Sequence, residues 1–420
     1  MKGIRAVSRR TFIGATGATF LLRTSPIRAD PSRSEARDIR SFGAAGDGSQ
    51  NDTPAFAAAM RAGTPIYVPA GTYLLEQVTI PSRRTILTEG YSTIFRQRRG
   101  TAPGTRLLNV VGSNVEIGDC TVEGNIDSDA GEQHHGIFVG AAPEIGNLTD
   151  IVIGNIRGHN LRGDVVYIGS ANGAVAKRVR IGKVYGVNVL RNVVSIVGGV
   201  AITVEAVAGS AVGYAHLDIE PDGYNGPVVG CTIGSVHGNF VQIAGQTIKS
   251  YVDEVRIGLL NLAGECTQSV PEYKPGLARA DALTLRNVRS LDIGRFIAQD
   301  FKGAAIRQIW NPGGVPDQRV HIAAAELSND CRDEPDGAYI NGSPRATRLS
   351  IDSLSTDTPP EGVDVVRDCK EARIGQFHGR LRKGRRLIAS SPDDTQGLLY
   401  LVGGGVAIYG LDRLRQLVTR

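Results

Sequence analysis

The sequence predicts an all-β chain coiled as a parallel β-helix with a short N-terminal capping helix, and three observations lead there. A short phrase of alternating apolar residues closed by Gly recurs along the chain. A second apolar phrase recurs between its copies. The composition is rich in Gly (53 of 420 residues) and poor in Met (2), Trp (1) and aromatics (5%), which suits short stacked strands and tight corners better than a core of large side chains.

The first phrase reads Val115-Glu-Ile-Gly118, Ile151-Val-Ile-Gly154, Val179-Arg-Ile-Gly182, Cys231-Thr-Ile-Gly234, Val255-Arg-Ile-Gly258, Leu291-Asp-Ile-Gly294 and Ala372-Arg-Ile-Gly375, with shorter copies at Val320-His-Ile322 and Leu349-Ser-Ile351. Apolar residues two apart give a strand with one buried face, and the Gly marks a corner. The second phrase reads His135-Gly-Ile-Phe-Val139, Asp164-Val-Val-Tyr-Ile168, Asn192-Val-Val-Ser-Ile196, His216-Leu-Asp-Ile219, Asn239-Phe-Val-Gln-Ile243, Asp281-Ala-Leu-Thr-Leu285 and Gly337-Ala-Tyr-Ile340. A propeller blade needs more strands in a longer repeat, and the leucine-rich signature is missing. A coil of two or three strands per turn remains. Roughly ten turns at about 4.8 Å each predict a rod on the order of 50 Å long.

Such a rod exposes strand edges at both ends. Asp52-Thr-Pro-Ala-Phe-Ala-Ala-Ala-Met60 offers a polar cap, an early Pro and strong helix formers, and predicts a helix over the first turn. Leu411, Leu414, Leu417 and Val418 are expected to pack the last turn. The expected organisation is a leader at 1–29, an N-terminal cap with its helix at 30–64, the β-helix at 65–405 and a C-terminal cap or tail at 406–420.

The net charge of +5 does not indicate a nucleic-acid partner. Residues 1–29 hold Lys2, Arg5, Arg9, Arg10, Arg23 and Arg28 with no acidic residue, and without them the charge is −1. Ser8-Arg9-Arg10-Thr11-Phe12-Ile13-Gly14, followed by an apolar stretch to Leu22 too short to span a bilayer, resembles a twin-arginine signal peptide. That resemblance implies recognition by the twin-arginine export machinery, with a periplasmic or secreted destination. No other long apolar run predicts a membrane span. Cys120, Cys231, Cys266, Cys331 and Cys369 lack metal-ligand spacing, and most read as buried thiols.

Asp38-Ile-Arg-Ser-Phe-Gly-Ala-Ala-Gly-Asp-Gly48, Asn51-Asp-Thr-Pro-Ala-Phe56 and Ile66-Tyr-Val-Pro-Ala-Gly-Thr-Tyr73 resemble the N-terminal signature of the pectate-lyase-like superfamily, with its rhamnogalacturonase-like and epimerase-like members. The resemblance implies a single-stranded right-handed parallel β-helix (a pectin-lyase-like solenoid) and a polysaccharide substrate; many related β-helices are trimers, so a homotrimer is one open alternative for the oligomeric state. It leaves the reaction open, since hydrolases, lyases, epimerases and inactive members share the signature.

The most chemically loaded turn is Tyr214-Ala-His-Leu-Asp-Ile-Glu-Pro-Asp222. Strict alternation puts His216, Asp218 and Glu220 on the water-facing side, opposite Leu217 and Ile219. The α-carbons of Asp218 and Glu220 are then about 6.7 Å apart, near the lower end of the range that inverting two-carboxylate glycosidases use. Aligning turns by inward residues places Phe138, Tyr167, Ser195, Gln242 and Thr284 in the Asp218 column and Arg286 in the Glu220 column. Tyr167 is expected to stack on sugar, and Gln242, Arg286, His216 and Lys249 to bind hydroxyls or a carboxylate. His134 and His135, being adjacent, point to opposite faces and do not make a metal pair.

The first expectation is a glycoside hydrolase with Asp218 and Glu220 as catalytic acid and base and no cofactor. The alternative is a lyase on a uronate-containing chain, with Asp218, Glu220 and Asp222 as Ca²⁺ ligands. The third is a non-catalytic carbohydrate-binding β-helix. The hallmark triplets of polygalacturonases and the Arg signatures of pectate lyases are absent, which disfavours pectin.

Overall fold

The computed structural model describes residues 34–127, 131–223, 226–264, 281–309, 314–328, 338–357, 359, 363–379, 381, 387–389 and 398–401. The leader, the loop from Cys266 to Gly276, Cys331 and the C-terminal leucines lie outside these residues.

Both repeated phrases become sheets. Twelve short strands, from Val78–Ile80 to Ile388–Ala389, stack in parallel in sequence order. That order is the signature of a coil in which each turn pairs only with its neighbours. Longer strands, such as Ala176–Val189 and Gly199–Val212, form the remaining walls within a second, larger sheet. The chain is therefore the expected parallel β-helix.

The inward positions of the short strands, Ile137, Val166, Val194, Leu217, Val241, Leu283 and Ile306, are paired turn on turn. None is more than 3% exposed. Full burial of each such side chain contributes about 1.5–3 kcal/mol, which no isolated turn could obtain.

The Gly-ended phrases align as one column, Val115–Ile151–Val179–Ile202, continuing to Leu349 and Ala372. Ile202-Thr-Val-Glu205 is a copy the sequence reading overlooked, because Glu205 replaces the Gly. Elsewhere the Gly is needed for close approach of turns. A Cβ at Gly234 would lie 2.2 Å from the Glu205 carbonyl oxygen, and one at Gly258 would lie 2.5 Å from that of Gly234.

The helix Thr53–Ala62 packs Phe56 and Met60 onto the first turn, with Phe56 meeting Tyr73 and Phe95 edge-on. Asp52, expected as its cap, acts otherwise. Its carboxylate accepts the Ala45 and Gly46 N–H groups, while Asn51 Oδ1 accepts the Thr53 N–H. The preceding loop is the better partner because it presents two backbone donors together. Cys120 and Cys231 are buried free thiols, and burial pushes both upward in pKa. No helix among the described residues is long and apolar enough to cross a membrane.

Candidate active site

The outward column of the short-strand sheet holds Asn109, Phe138, Tyr167, Ser195, Asp218, Gln242, Thr284 and Arg307 in register. The strand Leu217–Ile219 turns Leu217 and Ile219 inward and Asp218 to the outer side, as alternation requires. The expectation that Asp218 projects into water is corrected. It is 2% exposed. Asn192 Nδ2 donates to its Oδ2 at 3.2 Å, and Gln242 Nε2 donates to its Oδ1 at 3.2 Å.

Those two amides are themselves fixed. Asn192 Oδ1 accepts the Ala215 N–H at 2.9 Å, and its Nδ2 also reaches Ser195 Oγ at 2.9 Å. Gln242 Oε1 accepts the Tyr214 hydroxyl at 2.9 Å. Gln242, expected to bind sugar, is thus a bridge between Tyr214 and Asp218.

Burial, then the charges of Glu220 and Asp164, push the Asp218 carboxyl well above the ordinary carboxylate range, against Arg191 and the Gln242 amide. Asp164, two turns away and equally buried, moves the other way. Burial would raise it, but Arg191, His135 and the Asn192 N–H outweigh that and lower its pKa. The two buried aspartates are thus shifted in opposite directions, Asp218 upward by burial and neighbouring carboxylates and Asp164 downward chiefly by Arg191.

Glu220 follows Ile219 at the strand end, and its side chain is 30% exposed. Its carboxylate accepts the Gln246 amide at 3.0 Å, and Arg286 Nη2 lies 3.6 Å away. Arg286 reaches it from two turns on because Ala244, its register partner on the turn between, is small. The pairing of Arg286 with the Glu220 column is as expected.

His216 is not on this ledge. It precedes the strand, where the chain is still turning a corner and alternation does not apply. It occupies the corner position filled on neighbouring turns by Val193 and Phe240, is 3% exposed, and takes the Asn239 N–H on Nδ1 at 3.4 Å. Lys249 is exposed on the Thr247–Ser250 turn, which begins one residue after Gln246.

Tyr167 stacks on Phe138 with centroids 4.9 Å apart and 9° between planes. Arg106 covers the Phe138 ring at 3.5 Å, and His135 lies beside Tyr167 at 4.7 Å. Burial raises the Tyr167 hydroxyl pKa, which unsuits it as a base. His135 Nδ1 accepts the Asp164 N–H at 3.1 Å, while His134 Nδ1 meets Gln97, so the two histidines do face different neighbours.

Asn192, Asp164, His135, Arg191 and Tyr214 were not singled out as site residues. A signal existed: several second-type phrases open on Asp or Asn, at 164, 192, 239 and 281. At 164, 192 and 281 that side chain accepts a backbone N–H from the following turn.

Asp218, Glu220 and Asp222 do not form a Ca²⁺ cage. Both Asp218 oxygens are taken by amides, and among the described residues no three His, Cys, Asp or Glu side chains are grouped to hold a metal ion.

Residues 36–93 match the family model for rhamnogalacturonase A/epimerase, pectate lyase-like proteins. That segment forms the cap and first turns and contains none of the residues above. No curated protein matches the chain in sequence. Among solved structures, the A-module of the mannuronan C-5 epimerase AlgE4 of Azotobacter vinelandii is 12% identical, with a TM-score of 0.57 over 88% of this chain and 100% of that one. PfbA, a surface adhesin of Streptococcus pneumoniae, is 14% identical, with a TM-score of 0.56 over 85% and 93%. The Agl-KA catalytic domain is 12% identical, with a TM-score of 0.51 over 89% and 69%. These likenesses establish the β-helix fold, which an epimerase and an adhesin share.

Proposed function

We propose that this chain is an exported polysaccharide-active enzyme, a glycoside hydrolase in which Asp218 is the acid and Glu220 the base. One observation carries the reading: two carboxyl side chains two residues apart, Asp218 on the strand and Glu220 just past its end, the buried one shifted upward in pKa by burial and neighbouring charge and the more exposed one facing cationic and amide donors. Neighbouring carboxyls in dissimilar surroundings divide acid and base roles in this way. Two further points support a glycan: the family match at 36–93 and the named activity of the mannuronan epimerase. Export rests on the Arg9-Arg10 leader.

In the proposed reaction Asp218 gives its proton to the glycosidic oxygen as the bond to the anomeric carbon breaks. Glu220 takes a proton from the water whose oxygen bonds to that carbon. The strand spacing of about 6.7 Å between α-carbons favours inversion. The scissile oxygen must reach the floor of the face beside Glu220, with Tyr167 two turns away to contact a neighbouring sugar.

The test is reducing-end release from a panel of neutral and uronate polysaccharides by the full chain. Glu220→Gln is expected to lower the rate roughly 10²–10⁴-fold with an unchanged melting temperature. Unsaturated, ultraviolet-absorbing products, or full activity in Glu220→Gln, would overturn the proposal.

A further inference from the structure

We infer that the glycan accepted by this face is an uncharged one. The inference rests on reading the face as a glycan site, and it comes from how its cations are held. Beyond Thr284 the outward column continues as Arg307, Asn341 and Arg367. Arg191, Arg286, Arg307 and Arg367 each have an acid beside them. Arg307 Nε donates to Asp281 Oδ2 at 2.6 Å. Arg367 Nη2 donates to Asp364 Oδ2 at 2.6 Å, and its Nε to the same oxygen at 3.1 Å. Arg286 faces Glu220 at 3.6 Å, and Arg191 Nε lies 3.5 Å from Asp164.

The acids lie deeper than the cations they neutralise. Asp164, Asp364 and Asp281 have side-chain exposures of 0%, 8% and 15%, against 13%, 24% and 28% for Arg191, Arg367 and Arg307. They are therefore fixed features of the fold. A polyuronate brings a carboxylate on each residue, and each would approach a guanidinium with an anion already beside it. Like-charge juxtaposition of this kind rejects a partner. Sugar hydroxyls meet no such conflict, because each both donates and accepts. A guanidinium next to a carboxylate offers donors and acceptors side by side at the spacing of neighbouring hydroxyls. Arg106, the cation at the opposite end, is committed to the Phe138 ring.

Affinity electrophoresis of the full chain in gels containing soluble neutral glucans and mannans, or alginate and polygalacturonate, tests this. The wild type is expected to be retarded by at least one neutral polymer, with little change between low and moderate salt, and not by the uronates. Asp281→Asn and Asp364→Asn keep a side-chain acceptor while removing the charge that masks Arg307 and Arg367. Each is expected to gain salt-sensitive retardation by uronate, about tenfold tighter than wild type, a difference of about 1.4 kcal/mol. Either variant suffices if the other fails to fold. Salt-sensitive uronate binding by the wild type, or retardation by neither class, overturns the inference. Neutral binding without any cleavage would leave it standing while removing the hydrolase reading.

Discussion

The two faces of the short-strand sheet carry two columns of side chains that differ in kind. Inward, Val166, Val194, Leu217, Val241 and Leu283 repeat one chemistry on successive turns. Outward, Tyr167, Ser195, Asp218, Gln242 and Thr284 change identity at every step. The same hydrogen-bond ladder holds both columns. Repetition fixes the coil, and departures from repetition build the site. The outer column is also not simply wet: between Ser195 and Thr284 no residue is more than 8% exposed, so its polar groups must satisfy one another. An inner side chain acts by volume, and an outer one by hydrogen bonds and charge.

The largest test of this contrast is on the strand Leu217–Ile219 itself. Leu217→Ala should cost about 2–5 kcal/mol by transfer and cavity terms, read from chemical denaturation. Its neighbour Ser195→Ala, on the outer column of the adjacent turn, removes only an acceptor of the Asn192 amide and should cost about 1 kcal/mol. Equal losses would erase the distinction.

Corners come next. A Cβ at Gly238 would sit 2.2 Å from Cγ of His216. Gly238→Ala should therefore cost about 1–3 kcal/mol, and His216→Ala in the same chain should recover much of that loss. Absence of recovery would show that His216 is not what Gly238 accommodates.

A smaller effect is expected along the pH axis. The folded-state pKa of Asp218 is raised above its unfolded value, so its contribution to stability is complete at acid pH, below the ordinary carboxylate value of 3.8. That contribution is lost as pH rises through the raised folded value. Melting temperatures of the wild type should fall over that interval relative to Asp218→Asn, and a parallel pH dependence of the two proteins would contradict the assignment.

The smallest expected effect is a gain. Ala201 adopts φ +57° in a column of left-handed corner residues that includes Gly230 at φ +73°. Ala201→Gly should stabilise by about 1 kcal/mol, since Gly takes this conformation without the Cβ conflict. Unchanged or lower stability would mean that the corner is not strained by Ala201.

Much of this was legible in the sequence for a physical reason. In a coil, register follows from apolar periodicity, so aligning inward residues also aligned Tyr167, Asp218 and Gln242 across four turns. Three features escaped. His216 was misplaced because alternation ends where the strand ends. The burial of Asp218 was missed because Asn192 and Gln242 enclose it from neighbouring turns, and alternation within a single strand says nothing about lateral neighbours. The Asp52 cap failed because a loop some seven residues upstream competes for the carboxylate. The signature at residues 38–73 identified the fold and carried no information about the site, since it lies at the other end of the first turns.

The central claim is that Asp218 is an outward-facing carboxyl whose pKa is held well above the ordinary carboxylate range beside Glu220. Infrared difference spectra of wild type minus Asp218→Asn, recorded from acid to alkaline pH, report its protonation directly. A carboxylic-acid carbonyl band that persists well above the ordinary carboxylate range and shifts in deuterium oxide is the predicted result. A carboxylate band already formed within that range, with no acid band to lose above it, would contradict it.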